Sequence, residues 1–182
     1  MTISLILGGA RSGKSAYAQH IAERSALAVT YVATAQVYDD EFAARVAQHR
    51  QDRPTHWKTV ETPHRLAETL RREAASDHCL VVDCLTLWLA QCICPDCAPP
   101  EGVDWQSQRA DFLATLPTLP GRIVLVSNEV GMGIVPLGEI NRHFQDEQGR
   151  LNQAMAALAQ HVTFMAAGLP LTLKKEPART SD

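Results

Sequence analysis

Eight residues near the N-terminus, Gly8-Gly9-Ala10-Arg11-Ser12-Gly13-Lys14-Ser15, restrict the fold of this chain more than any other stretch. They follow a short apolar run, Ile3 to Leu7, and open into a helix-like segment. The spacing G-x-x-x-x-G-K-[ST] lets backbone N–H groups curl around a phosphate, with the lysine reaching the β and γ oxygens and the hydroxyl placed for Mg²⁺. The glycines tolerate positive φ and a close backbone approach, and the helix that follows turns its positive end toward the anion. Strand, loop and helix are therefore expected in that order, with Lys14 and Ser15 at the phosphates of a bound nucleotide.

The rest of the chain repeats this alternation. Lys14 to Ala26 carries Tyr17, Ala18, Ile21 and Ala22 on one helical face, and Val29 to Thr34 reads as a strand. Asp39 and Asp40 suit the cap of a helix over Glu41 to Arg50, where Phe42 and Val46 stand one turn apart, and Pro54 closes that segment. Trp57 to Glu61 is a short strand candidate, and Pro63 starts a helix through about Ala75 with Leu66 and Leu70 inside. Cys79 to Asp83 is a continuous apolar run ending in an acid, as in a strand covered on both faces. Leu85 to Ile93 looks helical, whereas the proline-bearing stretch Cys94 to Asp104 looks like an irregular loop. A helix over Trp105 to Leu116 leads to a strand at Ile123 to Val126, and Leu137 to His161 is mainly helical with its later half in the core. Val162 to Ala167 is expected to turn at Gly168-Leu169-Pro170 into Leu171 to Leu173, a C-terminal β-hairpin, before a frayed tail over 174–182. Strands alternating with helices predict an α/β fold with a mainly parallel sheet flanked by helices.

Composition narrows the partners. A chain of 182 residues with 46% hydrophobic content is sized for one domain, 1–182, with a substantial core. A net charge of −3 and a pI near 6.1 give no basic field for a nucleic-acid backbone, so nucleic acid is not the expected partner. No apolar run reaches membrane-spanning length and the N-terminus lacks an export signal, so a cytoplasmic location is expected. Five cysteines, an odd number, do not suggest a disulfide framework. Cys92-Ile93-Cys94-Pro95-Asp96-Cys97 has a spacing shared by some thiolate metal sites, but no second C-x-x-C accompanies it, and it reads as a cysteine-containing loop with no assigned role.

Several further residues carry chemistry. Asp83, ending its buried strand, stands where a Walker B carboxylate helps to hold Mg²⁺. Ser127-Asn128-Glu129-Val130-Gly131-Met132-Gly133 follows another buried strand and is expected at the sheet edge that carries the phosphate loop. Glu129 there is either a substrate-orienting or proton-accepting group or an ordinary turn carboxylate. Of Arg142 and Arg150, Arg150 is the better candidate to meet phosphate. The chain has no N-K-x-D guanine signature. His49 is followed by Arg50, Gln51, Asp52 and Arg53, and a neutral imidazole among guanidiniums is equipped to attack phosphorus. These features fit a group-transfer enzyme, a nucleotide-gated regulatory protein or a small-metabolite kinase with no nucleotidyl step.

A resemblance narrows the choice. Gly8 to Ser15, Tyr31-Val32-Ala33-Thr34, Asp39-Asp40-Glu41 with Arg45, His49-Arg50, Arg53-Pro54, Trp57, Glu61, Val82-Asp83-Cys84-Leu85-Thr86, Asn128 to Pro136 and Arg150-Leu151-Asn152-Gln153 together resemble the bifunctional adenosylcobinamide kinase/adenosylcobinamide-phosphate guanylyltransferase family of cobalamin biosynthesis. The similarity extends from residue 2 to about residue 173. It implies a P-loop NTPase fold of the RecA-like branch and assembly as a homo-oligomer, a trimer in members of the family. It also implies two reactions on a corrinoid substrate. ATP or GTP phosphorylates adenosylcobinamide, and GTP then transfers GMP through a histidine to give adenosylcobinamide-GDP. By the match, His49 carries the GMP, although Gln48 stands here where some members have a second histidine. Gly8, Gly9, Ala10, Arg11, Ser12, Gly13, Lys14, Ser15, Ala33, Thr34, Ala35, Arg50, Gln51, Asp52, Arg53, Glu61 and Asp83 would bind nucleotide, with Ser15 and Asp83 at Mg²⁺.

Overall fold

The strands are built from apolar runs whose alternate residues serve two different cores. The computed structural model describes residues 1–36, 53–94 and 103–176. In chain order these residues form β1 (Thr2–Gly8), α1 (Lys14–Glu23), β2 (Ala28–Ala33), β3 (Lys58–Glu61), α2 (Leu66–Glu73), β4 (His78–Asp83), α3 (Leu85–Ile93), α4 (Trp105–Thr115), β5 (Arg122–Asn128), α5 (Glu139–Leu158), β6 (His161–Ala166) and β7 (Leu169–Lys175). The strands make one sheet in the order β3-β2-β4-β5-β1-β6-β7. Every pairing is parallel except β6 with β7.

Because side chains alternate along a strand, Ile3, Leu5, Leu7, Val32, Leu80, Val82, Ile123 and Leu125 fall on one face and join Leu66, Trp88, Phe112, Leu151 and Met155 from α2 to α5. Ile6, Tyr31, Val81, Val124 and Val126 fall on the other face and meet α1 through Ala18 and Ala22. Two alanines at the contact let α1 lie close to the sheet, which brings its first turn down to the end of β1. Trp88 is fully buried and packs edge-on against Trp105 at 5.2 Å and tilted against Phe112 at 5.0 Å between ring centroids. This aromatic group ties α3 to α4.

Most expected elements are present, with shifted ends. The helix expected from Pro63 begins only at Leu66 and ends at Glu73. The Thr62 hydroxyl donates to the His64 carbonyl at 2.5 Å and Arg65 sits at φ 50°, so the chain makes a turn before it coils. The hairpin is real, but its turn is Ala167-Gly168, with φ values of 51° and 80°, rather than Gly168 to Pro170. Two residues of positive φ match the twist of the paired strands. Pro170 is accommodated inside β7 because that strand is the sheet edge. The strand also runs two residues into the stretch expected to fray, through Lys175, and the Lys174 ammonium donates to the carbonyls of Ala156 and Ala157 at 3.3 Å. The expected helix over Glu41 to Arg50, most of the loop after Cys94 and the rest of the tail lie outside the described residues. No helix among the described residues is long and apolar enough to cross a membrane.

Candidate active site

Parallel pairing carries the ends of six strands to one edge, and register sorts the candidate residues along it. Gly8 is level with Asn128 on β5 and Met165 on β6. Ala33 is level with both Glu61 and Asp83. The strand β5 stands between β1 and β4, so Asp83 lies two strands from the phosphate loop, a spacing of about 10 Å. That gap is wide enough for phosphates and a hydrated cation.

The loop from Gly8 to Ser15 closes over the start of α1. Gly8 has φ +149°, and a Cβ there would lie 2.4 Å from the Met165 carbonyl oxygen and 2.8 Å from the Ser12 hydroxyl. Gly13 has φ +94° and approaches the Gly168 Cα, which a Cβ would meet at 3.3 Å. The Gly168 N–H donates to the Ser12 carbonyl at 3.0 Å, so the C-terminal hairpin braces the loop. Lys14 is buried and its ammonium donates to the Gly9 carbonyl at 2.6 Å, across the curl of the loop. Burial lowers the pKa of this ammonium, and nearby Cys84 and Asp83 pull it back up. The Ser12 hydroxyl is buried and has no hydrogen-bond partner among the described residues, as suits a group that bonds a ligand oxygen.

Beyond the loop, Tyr31 from β2 donates its hydroxyl to Oδ2 of Asp83 at 2.7 Å. The Arg53 guanidinium carbon lies 3.6 Å from the centroid of the same ring. Burial, then the Asp83 charge, pushes the Tyr31 phenol well above its ordinary value, so the proton stays on the phenol and is offered to the carboxylate. Thr34 is fixed from three directions. Its hydroxyl donates to the Cys84 carbonyl at 2.7 Å and accepts from the Cys84 N–H at 2.8 Å, and its carbonyl accepts from the Gln91 amide at 2.5 Å. The Cys84 thiol, pushed up to about 12 by burial and the neighbouring Asp83 charge, stays neutral.

The segment after β5 is also held by side chains. The Glu129 N–H donates to the Gly8 carbonyl at 3.1 Å, which brings this segment to the phosphate loop as its sequence position implied. The Asn128 N–H donates to the Thr86 hydroxyl at 2.7 Å, and the Asn128 carbonyl accepts from the Asn152 amide at 3.1 Å. Asn152 accepts from the Ser127 hydroxyl at 2.7 Å, and Gln148 donates to both. The Glu129 carboxylate accepts from the Gly131 N–H at 2.9 Å. The Arg150 guanidinium pairs with Glu147 at 2.5 Å. Glu147 is buried and also accepts from the Trp105 indole at 2.5 Å, so Arg150 takes part in a pair that joins α4 to α5.

The structure therefore brings Gly8 to Ser15, Ala33 to Ala35, Glu61, Asp83 and Arg53 to the C-terminal end of the sheet. His49, Arg50, Gln51 and Asp52 lie outside the described residues. So does Cys97, while Cys92 packs into the core from α3, its thiol raised to about 12 by burial and then by Asp104. The hydrogen-bonding roles of Tyr31, Gln91, Gln148 and Asn152 were not read from sequence. The one usable signal was Tyr31, a phenol placed among aliphatic strand residues and facing the same side as α1. Ser15 and Asp83 supply hard oxygen donors, the kind Mg²⁺ takes together with phosphate and water.

A parallel sheet with this loop, and one strand inserted between the loop strand and the Asp83 strand, defines a P-loop nucleoside-triphosphate-binding protein of the RecA-like type. Among solved structures the chain resembles an ATPase of the type III secretion system of pathogenic bacteria, with a TM-score of 0.53 and 13% identity over 94% of this chain and 56% of that one. It also resembles a Pyrococcus horikoshii OT3 protein, with a TM-score of 0.52 and 7% identity over 97% of this chain and 88% of that one. These two likenesses concern the fold alone. Residues 4–173 match the family described as cobinamide kinase / cobinamide phosphate guanyltransferase. The bifunctional adenosylcobalamin biosynthesis protein CobP of Pseudomonas aeruginosa is 54% identical over 95% of this chain and 98% of its own length. The corresponding CobU of Escherichia coli is 37% identical over 93% and 98%, and that of Salmonella typhimurium is 35% identical over the same shares. The chain belongs to this family and is a bifunctional transferase of cobalamin biosynthesis, a kinase and a guanyltransferase.

Proposed function

We propose that residues 1–182 act as one nucleotide-binding domain that performs both transfers at this sheet edge, with His49 as the GMP carrier. In the kinase step, ATP or GTP lies with its phosphates in Gly8 to Ser15. The acceptor hydroxyl of adenosylcobinamide bonds to the γ-phosphorus as the β–γ bridging bond breaks and a nucleoside diphosphate leaves. Lys14 offsets the charge that collects on the phosphoryl oxygens, and Glu129 stands at the same edge to take the hydroxyl proton. Mg²⁺ held through Ser15 and Asp83 would polarise the phosphate oxygens.

In the second step the neutral His49 imidazole attacks the α-phosphorus of GTP, a nitrogen–phosphorus bond forms, and pyrophosphate leaves. A phosphate oxygen of the phosphorylated corrinoid then attacks the same phosphorus, breaks the nitrogen–phosphorus bond and regenerates the imidazole. Ala33, Thr34, Ala35, Arg50, Gln51, Asp52, Arg53, Glu61 and Asp83 complete the nucleotide site. The protein acts in the cytoplasm on small molecules, with no nucleic-acid partner. It assembles as a homotrimer, and exposed Ile134 and Leu137 beyond Glu129 and Leu169, Leu171 and Leu173 on the edge strand are apolar surface that subunit contacts would cover.

The observation that supports one site for both chemistries is the stack of Arg53 on Tyr31, whose hydroxyl bonds Asp83. Arg53, which stands four residues after His49 in the sequence, is thereby tied through Tyr31 to the carboxylate opposite the phosphate loop. Incubation with α-labelled GTP is expected to give an acid-labile, base-stable protein adduct. His49→Ala should abolish the adduct while GTP still binds, and an undiminished adduct in that variant would overturn the assignment.

A further inference from the structure

Tyr31 is almost completely buried, yet a phenylalanine would fill the same apolar space. What the hydroxyl adds is a single bond, to one oxygen of the one carboxylate at the end of β4. A carboxylate on a free rotor offers its oxygens in many directions, whereas one whose Oδ2 is bonded to a buried phenol presents Oδ1 in a fixed plane. Outer groups of this kind commonly orient a metal-holding carboxylate.

The other face of the residue does separate work. The Arg53 guanidinium carbon lies over the ring, 3.6 Å from its centroid, and its Nε and Nη1 are buried with no hydrogen-bond partner among the described residues. Leaving a guanidinium's buried donors unpaired is costly, and an anion at this edge would complete them. The phosphate loop supplies the reason for an anion at this edge. The ring thus preorganises Arg53 for phosphate.

We infer that Tyr31 is a two-sided positioning residue, whose hydroxyl orients Asp83 toward Mg²⁺ while its ring face holds Arg53 ready for nucleotide phosphate. This rests on the reading of Asp83 as a Mg²⁺ ligand and of Arg53 as a nucleotide contact. It links the two halves of the chemistry through one side chain, because Arg53 ends the histidine-bearing segment and Asp83 faces the phosphate loop.

The test is equilibrium binding of a fluorescent GTP analogue, titrated with and without Mg²⁺, to the full chain. Wild type should bind the analogue more tightly as Mg²⁺ is added. Tyr31→Phe keeps the ring, so the metal-free Kd should stay within about twofold while the apparent Mg²⁺ affinity falls about tenfold. Tyr31→Leu should show that loss and should also weaken metal-free binding several-fold, because Arg53 loses its support. In an Asp83→Asn background, Tyr31→Phe should change Mg²⁺ affinity no further. Wild-type Mg²⁺ affinity in Tyr31→Phe, or an equal weakening of metal-free and Mg²⁺-supported binding, would overturn the inference while leaving the Asp83 assignment intact. Absence of any Mg²⁺ effect on wild type would overturn the Asp83 assignment and the inference with it.

Discussion

Gly8 and Gly9 are adjacent in the phosphate loop, and the structure predicts opposite outcomes for adding one methyl group to each. At Gly8 the new Cβ would stand 2.4 Å from the Met165 carbonyl oxygen, which is backbone of the neighbouring strand. A comfortable carbon–oxygen contact is about 3.3 Å, so β1 and β6 must separate by about 0.9 Å at a paired rung. The oxygen cannot swing aside as a flexible side chain would. Overpacking of this kind costs about 1–3 kcal/mol, and an alanine held at φ +149° adds about 1–2 kcal/mol of backbone strain. A total near 3 kcal/mol lowers a urea midpoint by about 1.5 M when the slope is about 2 kcal/mol/M. At Gly9 a Cβ meets nothing within 4 Å, so Gly9→Ala should change stability by less than about 0.5 kcal/mol. Urea unfolding of the two variants, followed by tryptophan fluorescence, gives the comparison directly. A Gly8→Ala midpoint within about 0.3 M of wild type, or an equal loss of stability in both variants, would refute a steric clash at Gly8.

Two further outcomes follow from the core and from the buried ion pair. Trp88→Ala empties the junction of Trp105 and Phe112 and should cost about 3–5 kcal/mol, read as a fall in the thermal midpoint, whereas Trp88→Phe should recover much of it. Burial pushes the Glu147 carboxyl up, but hydrogen bonds from Trp105 and Arg150 outweigh it and hold the group below its ordinary value. A depressed folded value means stability that is present above the ordinary carboxylate range and is lost as pH falls through the folded value. Urea midpoints measured between pH 6 and about pH 3 should therefore fall more steeply for wild type than for Glu147→Gln, and parallel curves would contradict the pairing.

What could be read without coordinates was whatever short-range pattern encodes. The phosphate loop is eight contiguous residues whose spacing is its mechanism, so Lys14 and Ser15 were legible at once. Leu85 to Ile93 was bounded as a helix at the residues where α3 starts and stops, because its apolar face and the loop after it are local signals. Apolar runs ending at Asp83 and near Asn128 identified buried parallel strands, and with them the edge at which ligands bind. The family followed from strings such as Asn128 to Pro136 that no periodicity argument would generate.

Contacts between distant segments were not legible, because no local rule links residues that meet only after the sheet is assembled. Arg150 reads in sequence as a charge on a helix, and that its partner Glu147, one turn away, is buried and bonded by Trp105 from α4 appears only in the fold. The hairpin was readable as a hairpin, but that its turn braces Ser12 and Gly13 depends on β6 lying beside β1. Sequence thus determined that this chain cradles phosphate and which residues belong to the cradle. Tertiary structure decided that Tyr31, 52 residues from Asp83, stands between that carboxylate and Arg53, since only the pairing of β2 with β4 brings the phenol within 2.7 Å.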